Sequence, residues 1–382
     1  MQKILIFEPF LSGHRLEYIH HLYEKAAKTP KNHYYFAVSN QFQTLKKLFP
    51  WSEADNITFV YLDQQFISSI KQRCKIRRIF SLITLASNLS KQHQVDEVFV
   101  ICLAEYMPWL PLFFRARAYV SGIIYYIYLY EWKSKKFIPR MRDALTISSI
   151  FLFKKYKYAY LLNDPIAATY LNKKFKTGKF RYLPDPFMLP YNNDTHKINI
   201  KERLGIKSKD KLYLHFGSMS YRKGTLNILQ AIALLTKEES ENYCFVFAGK
   251  IGDDIKETFY TLYGILKEKV RIHVFDEFCT PEFLSSLCEV CSVILAPYYN
   301  TSFSSGIIGY AAYYKKPVVV PDEKFIGKLV RRYRLGFLLK DNSPQEIVHF
   351  IRNTHTFFSV DGTRYINTHR INDFVQYISF FE

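Results

Sequence analysis

The 382-residue chain is short of acidic residues, cysteine and glycine, and it has no long uninterrupted apolar run. Against 53 Lys and Arg stand only 34 Asp and Glu, a formal charge of +19, so the favoured partners are anionic: nucleic acid, an acidic membrane surface or phosphorylated substrates. Zinc-finger spacing, a helix-turn-helix signature and the aromatic motifs of RNA-binding sheets are all missing, which sets nucleic acid aside. The six cysteines, Cys74, Cys102, Cys244, Cys279, Cys288 and Cys291, are scattered through core-like segments behind no secretory leader. They read as reduced cytosolic thiols rather than a disulfide framework. Cys288 and Cys291 form one CxxC inside a helical stretch with no second pair nearby, so no metal is assigned. The longest nearly uncharged apolar run, Ala118 to Tyr130, is well short of the ~20 residues that span a bilayer. With 14 glycines the chain shows no low-complexity tract and no repeat of solenoid length.

What is present is a packed, aromatic-rich globular composition: 48% hydrophobic and 17% aromatic residues, with 30 Tyr and 33 Phe. The length suits two cores rather than one. Strand-like runs (KILIFEPF, HYYFAVS, ITFVYLD, EVFVICL, GIIYYIYLY, YAYLLND) alternate with helical patterns, among them one across residues 66–90. This alternation predicts α/β architecture with a parallel sheet covered by helices. After the Pro-rich hinge RYLPDPFMLPYNND a second series begins: KLYLHFGSM, YCFVFAGK, RIHVFDEF, SVILAPY and PVVVP, again with helices between. The expected domains are residues 1–184, residues 185–360, and a terminal segment, residues 361–382, forming a helix packed back across the hinge. In doubly wound sheets ligands sit beyond the carboxyl ends of the strands.

Three stretches place phosphate-binding chemistry at such strand ends. In LHFGSMSYRKGTLNILQAIALL a strand closes on Phe216-Gly217, a short loop carries Arg222 and Lys223, and Gly224 opens a helix. Two cations beside a helix start form a diphosphate clamp, or a solvated basic turn. FVFAGKIGDD repeats the arrangement with Gly249 and Lys250, where a plain turn is the alternative. YNTSFSSGIIGYAAYYKKPVVVP sets Ser304, Ser305 and Gly306 at a helix start, either an anion site or an ordinary Ser N-cap.

The order of these elements over most of the chain resembles the GT-B fold glycosyltransferases, particularly the retaining family four (group 1 glycosyltransferases). That family carries a strand, Gly-Arg-Leu, three variable residues and Lys-Gly; here Gly217-Ser218-Met219, then Ser220 to Arg222, then Lys223-Gly224 keep the spacing. The resemblance makes Lys223 the diphosphate lysine, puts Ser218 where the family has arginine, and leaves Arg222 to supply that charge. The family's two glutamates, eight positions apart, fall on Ser302 and Tyr310, so both carboxylates are missing. Glu277 and Phe278 match a loop that touches the nucleotide base. Gly13 and His14, in EPFLSGHRLEYIHHL, match the loop near the transferred sugar and acceptor; a structural role is the alternative for His14. Glu131, in YLYEWKS, stands where an acceptor-facing loop occurs and can accept a proton from an acceptor hydroxyl if configuration inverts, or it is a solvated carboxylate near Lys133.

The resemblance implies two doubly wound Rossmann-like domains facing a cleft. It also implies transfer of a hexosyl unit, with retention, from a UDP- or GDP-sugar to a glycan acceptor. No metal is needed in this reading, because there is no Asp-x-Asp motif and cations are available for the phosphates. Basic residues interleave with aromatics at KQRCKIRRIF, FFRARAY, KSKKFIPRMR and FKKYKYAY, all in the first half. These clusters suit an anionic membrane surface and a lipid-linked acceptor, hence a cytoplasmic protein held peripherally on the inner face of the membrane and serving polysaccharide or glycoconjugate synthesis. An amphipathic core helix is the alternative for residues 66–83. A catalytically silent relative that binds glycans or partners is the rival reading, supported by the missing glutamates.

Overall fold

The computed structural model describes residues 1–11, 15–125, 129, 135–187, 200–299, 305–354 and 356–382, apart from the side chains of Leu48 and Lys324. Gly13, His14, Glu131, Ser302 and Ser304 therefore lie outside the described residues. The chain divides into two units: residues 1–185 with 371–382, and residues 186–370.

The N-terminal unit is built on seven parallel strands among the described residues: β1 (Lys3–Glu8), β2 (His33–Ser39), β3 (Ile57–Leu62), β4 (Glu97–Val100), β5 (Tyr119–Ile124), β6 (Tyr156–Leu162) and β7 (Phe180–Leu183), in the order 3-2-1-4-5-6-7. Ile4 to Phe7 are fully buried, the continuous apolar run expected of a strand covered on both faces. The C-terminal unit repeats the pattern with β8 (Lys211–Phe216), β9 (Tyr243–Ala248), β10 (Arg271–Phe275), β11 (Val293–Leu295), β12 (Val318–Pro321) and β13 (Gly336–Leu339), in the order 10-9-8-11-12-13. Both orders reverse beside the first strand of the unit, at β1/β4 and at β8/β11, which are the switch points where doubly wound sheets open a crevice.

Several helix starts are written as a capping residue followed by proline. The side chains of Asp164, Thr280 and Ser343 accept from the backbone N–H groups of Ala167, Phe283 and Glu346, and Pro165, Pro281 and Pro344 occupy first-turn positions where a missing N–H costs nothing.

Some local expectations need correction. The helix across residues 66–90 is two helices, Gln64–Gln72 and Lys75–Gln92, separated by Arg73 and Cys74 in extended conformation. The second of these helices turns Ile79, Leu82 and Ile83 into the core and leaves Ile76 exposed. The terminal segment is not one helix but Thr363–Thr368, Ile371–Gln376 and a 3-10 turn, Ser379–Phe381. The four-residue strands β7 and β13 were too short to stand out from the hinge and from a basic run.

The last residues complete the N-terminal core. Phe374, Val375, Ile378, Phe380 and Phe381 pack with Ile4, Ile6, Ile19, Leu22, Tyr34 and Phe36. The carbonyl of Phe380 accepts from Asn32 Nδ2 at 3.0 Å, and the Tyr160 hydroxyl accepts from Ser379 N at 2.9 Å. Phe380→Ala removes a buried ring from this core, a loss of ~3–5 kcal/mol. Amide exchange in β1 and β2 should accelerate while β8 and β9 stay protected; unchanged exchange in β1 and β2 would show that the tail is dispensable to that core.

Candidate functional site

In the C-terminal unit the residues of interest converge at the β8/β11 switch point. Gly217, just past β8, has φ +89°, and a Cβ there would lie 2.7 Å from the Lys223 ammonium. Gly249, just past β9, has φ +139°, and a Cβ there would lie 2.2 Å from the Gly217 carbonyl oxygen. Gly249 thus excludes a side chain twice over, by backbone conformation and by contact with backbone, whereas at Gly217 the positive φ is the constraint and a Cβ would displace only the mobile end of Lys223. The loops after the two strands are laced together: Gly217 N donates to Ala248 O, Met219 N to Lys250 O, and Gly252 N to Met219 O, at 2.8, 2.8 and 2.9 Å.

The next turn, Tyr221–Lys223, ends on Gly224 (φ +67°), which caps the helix Thr225–Ala233 without a side-chain hydrogen bond. Here too a Cβ would strike backbone, the Pro297 carbonyl oxygen at 2.1 Å. The Lys223 ammonium sits 5.6 Å from the Tyr298 ring centroid, so it faces the end of β11 as well as β8. Tyr221 and Tyr299 stack with centroids 4.6 Å apart, and Tyr299 N donates to Arg222 O at 2.9 Å. Arg222 and Ser218 are exposed beside this turn. Asp254 is spent on structure, its Oδ2 accepting from Tyr221 N at 2.9 Å.

Beneath the site lies a histidine that sequence reasoning missed. His215 is buried in β8, with Nδ1 2.8 Å from Leu295 O and Nε2 3.0 Å from Thr225 Oγ1. A carbonyl only accepts, so Nδ1 carries the proton and Nε2 accepts from the threonine hydroxyl. Burial, with Lys223 nearby and the Leu295 bond opposing, lowers its pKa to about 4. It is a neutral brace between β8, β11 and the helix. The signal for it was one polar residue in an apolar strand.

Not every expected residue joins this group. Lys250 pairs with Asp276 at 3.5 Å, and that carboxylate also accepts from Ile251 N and Tyr260. Glu277 and Phe278 are exposed beyond β10. Gly306 is the N-cap of the seven-residue helix Ile307–Tyr313, with φ −55° and no side-chain cap, so Ser305 is not a conventional N-cap. Tyr310 meets the rings of Phe187 and Phe216, each at 5.3 Å, against the end of β8.

The N-terminal unit has its own cluster at β1/β4, also unforeseen. Glu8, buried at the end of β1, accepts at one oxygen from Phe10 N and Arg15 Nη1, both at 2.9 Å, and Arg15 also pairs with Glu105. Glu8 and Arg15 thereby tie the end of β1 to the start of the helix Arg15–Ala27. Among the described residues, no group of three or more His, Cys, Asp or Glu is arranged to hold a metal ion. No helix there is long and apolar enough to cross a membrane.

Two parallel α/β units with these strand orders in one chain define the GT-B fold. The resemblance to the group 1 glycosyltransferases also holds by direct comparison: residues 196–354, in the C-terminal unit, match the family described as "Glycosyl transferases group 1". No curated protein matches the chain. Among solved structures, WaaG, a glycosyltransferase involved in lipopolysaccharide biosynthesis, superposes with TM-score 0.65 at 16% identity over 96% of this chain and 95% of its own. Anabaena HepE in complex with UDP-glucose gives 0.69 at 15% identity over 100% and 99%. Sucrose-phosphate synthase from Thermosynechococcus elongatus gives 0.66 at 13% over 98% and 95%.

Burial pushes the Glu8 carboxyl up to about 7, against the pull of Arg15 and the Phe10 N–H. Between about pH 4.5 and 7 the folded chain holds this proton and the unfolded chain releases it, so stability falls as pH rises through that window. Glu8→Gln should flatten the dependence by up to ~3 kcal/mol in unfolding free energy. Denaturant titrations at both ends of the window measure it, and an undiminished slope in the variant would place the titrating group elsewhere.

Proposed function

We propose that the protein is a glycosyltransferase moving a hexosyl unit from a nucleoside diphosphate sugar to a glycan acceptor, with retention at the anomeric carbon. The observation that carries this reading is the Lys223 ammonium held over the bare Gly217 turn at the β8/β11 switch point. A diphosphate there meets a fixed cation, with Arg222 beside it and the start of the Thr225–Ala233 helix below. Charge grows on the leaving diphosphate as the glycosidic bond breaks, and cations already in place stabilise it without reorganising. HepE, solved in complex with UDP-glucose, supports a UDP- or GDP-sugar as donor class. Ser304, Ser305, Gly306 and Tyr310 form the opposite wall in this reading, Glu277 and Phe278 lie towards the base, and Gly249 gives the phosphates backbone access. Ser218 lines the same turn. Lys250, held by Asp276, serves at most as a second-rank phosphate contact.

On the acceptor side Gly13, His14 and Glu131 are the proposed residues. The acceptor is a lipid-linked glycan in polysaccharide or glycoconjugate synthesis, and the protein works in the cytoplasm, peripherally on an anionic membrane face. WaaG's role in lipopolysaccharide synthesis and the charge of +19 support this. The rival is a silent glycan- or partner-binding relative, favoured by Ser302 and Tyr310 standing where the family has carboxylates.

Calorimetric titration of UDP separates the readings of the donor site. Losing a charge-assisted hydrogen bond of ~1.5–3 kcal/mol, Lys223→Ala should lower UDP affinity and cut kcat/KM roughly 10- to 100-fold. Gly306→Val should also weaken UDP; since φ at Gly306 is an ordinary −55°, the loss would report a blocked ligand rather than a strained backbone. Wild-type UDP affinity in both variants would falsify the phosphate site, and UDP binding without any transfer or donor hydrolysis would favour the silent relative.

Because Lys223 and Arg222 supply the neutralising charge, transfer should proceed unchanged in EDTA. Activity that vanishes on chelation and returns with manganese or magnesium would overturn the metal-free reading.

A further inference from the structure

The helix Phe137–Leu152 is inside out. Its inward face is largely polar: Asp143, Thr146 and Ser149 are buried alongside Ile147 and Ile150. Asp143 is neutralised by Lys135 at 2.6 Å, and the hydroxyls of Thr146 and Ser149 donate back to the carbonyls of Arg142 and Thr146. Its outward face is apolar. Phe137, Ile138, Met141, Leu145 and Leu152 are 72, 79, 49, 61 and 63% exposed. At about 100° per residue these five fall within an arc of roughly 100°, with the exposed Arg142 on one side of it, while Arg140 on the other is half-buried and donates to the Lys135 carbonyl at 2.9 Å. The helix's one acidic residue, Asp143, is turned inward, while Lys136, Arg142 and Lys154 are exposed at its ends and edge. A helix that only closed a soluble sheet would carry the opposite pattern.

The other basic and aromatic clusters do not share this arrangement. Phe114, Ala116 and Ala118 go into the core from the second cluster, and Tyr156, Ala159 and Tyr160 from the fourth. In the first, Ile79 is buried and the helix is broken at Arg73.

We infer that the outward stripe of Phe137–Leu152 inserts into the interface of an anionic lipid bilayer, with Lys136, Arg142 and Lys154 at the level of the phosphates. Apolar side chains on one face, cations along its edges and no exposed acid fit that surface by both area and charge. The inference rests on the peripheral-membrane reading above and deepens it by naming the element that docks.

The test is flotation of the full chain with vesicles of phosphatidylcholine, with and without phosphatidylglycerol, together with light scattering of the lipid-free protein. Wild type should bind the phosphatidylglycerol vesicles, and Phe137→Ser/Ile138→Ser/Leu145→Ser should bind at least about tenfold less, given the apolar area withdrawn. Ile265→Ser, an equally exposed residue of the C-terminal unit, should bind as wild type does. Circular dichroism and a cooperative melt check that the triple variant is folded, and if it is not, Lys136→Glu/Arg142→Glu must show the same loss. Undiminished binding by the variants would overturn the assignment of this helix while leaving membrane association standing. Failure of wild type to bind either vesicle would overturn both. A wild-type dimer that the triple variant converts to monomer, with vesicle binding intact, would assign the stripe to a second copy of the chain instead.

Discussion

Close approach of the β8 and β9 ends is the constraint on which the donor-side geometry depends. Gly249 comes so near the Gly217 carbonyl that no Cβ fits between them, and Gly217 in turn leaves the space that the Lys223 ammonium fills. With side chains at these two points the strand ends would splay, the loop Ser218–Ser220 would lose its hydrogen bonds to Lys250 and Gly252, and Lys223 would be pushed off the sheet. A chain with only 14 glycines places several of them where backbone must touch backbone.

His215 serves the same end from below. A buried polar group is stabilising only when its hydrogen bonds are made, and this one makes two, to β11 and to the helix Thr225–Ala233. It therefore fixes the strand that precedes the glycine turn and the helix that follows it. Because burial keeps the ring neutral, it adds no positive charge beneath Lys223.

Much of this was legible in the residues. Continuous apolar runs such as KILIFE and YCFVFA marked buried parallel strands, and the Gly217 to Gly224 spacing located the cation turn. What escaped was set by contacts distant in sequence. β7 and β13 are four residues each and owe their existence to β6 and β12. The break at Arg73 and Cys74 has no proline or glycine to announce it. The Glu8–Arg15–Glu105 cluster joins two residues 90 positions apart, and only the β1/β4 neighbourhood brings them together. The engagement of Lys250 by Asp276 links the ends of β9 and β10 in the same way; a lysine after a strand looks identical in sequence whether it faces a ligand or a carboxylate.

The two switch points answer different chemical demands with the same topology. At β8/β11 the strand ends are bare glycine backbone beside a lysine. At β1/β4 a buried carboxyl group, whose pKa burial raises to about 7, accepts from Arg15 and from the Phe10 N–H. The first arrangement sets a lysine beside bare backbone; the second joins Arg15 to two carboxyl groups. A buried carboxylate whose proton is poised near neutral pH is a costly way to anchor a turn, since a neutral side chain could cap the Phe10 N–H as well. The same oxygen of Glu8 also accepts from Arg15. That guanidinium reaches Glu105 with its other nitrogen, so the end of β1, the first turn of the helix Arg15–Ala27 and the segment after β4 are fixed by one planar group.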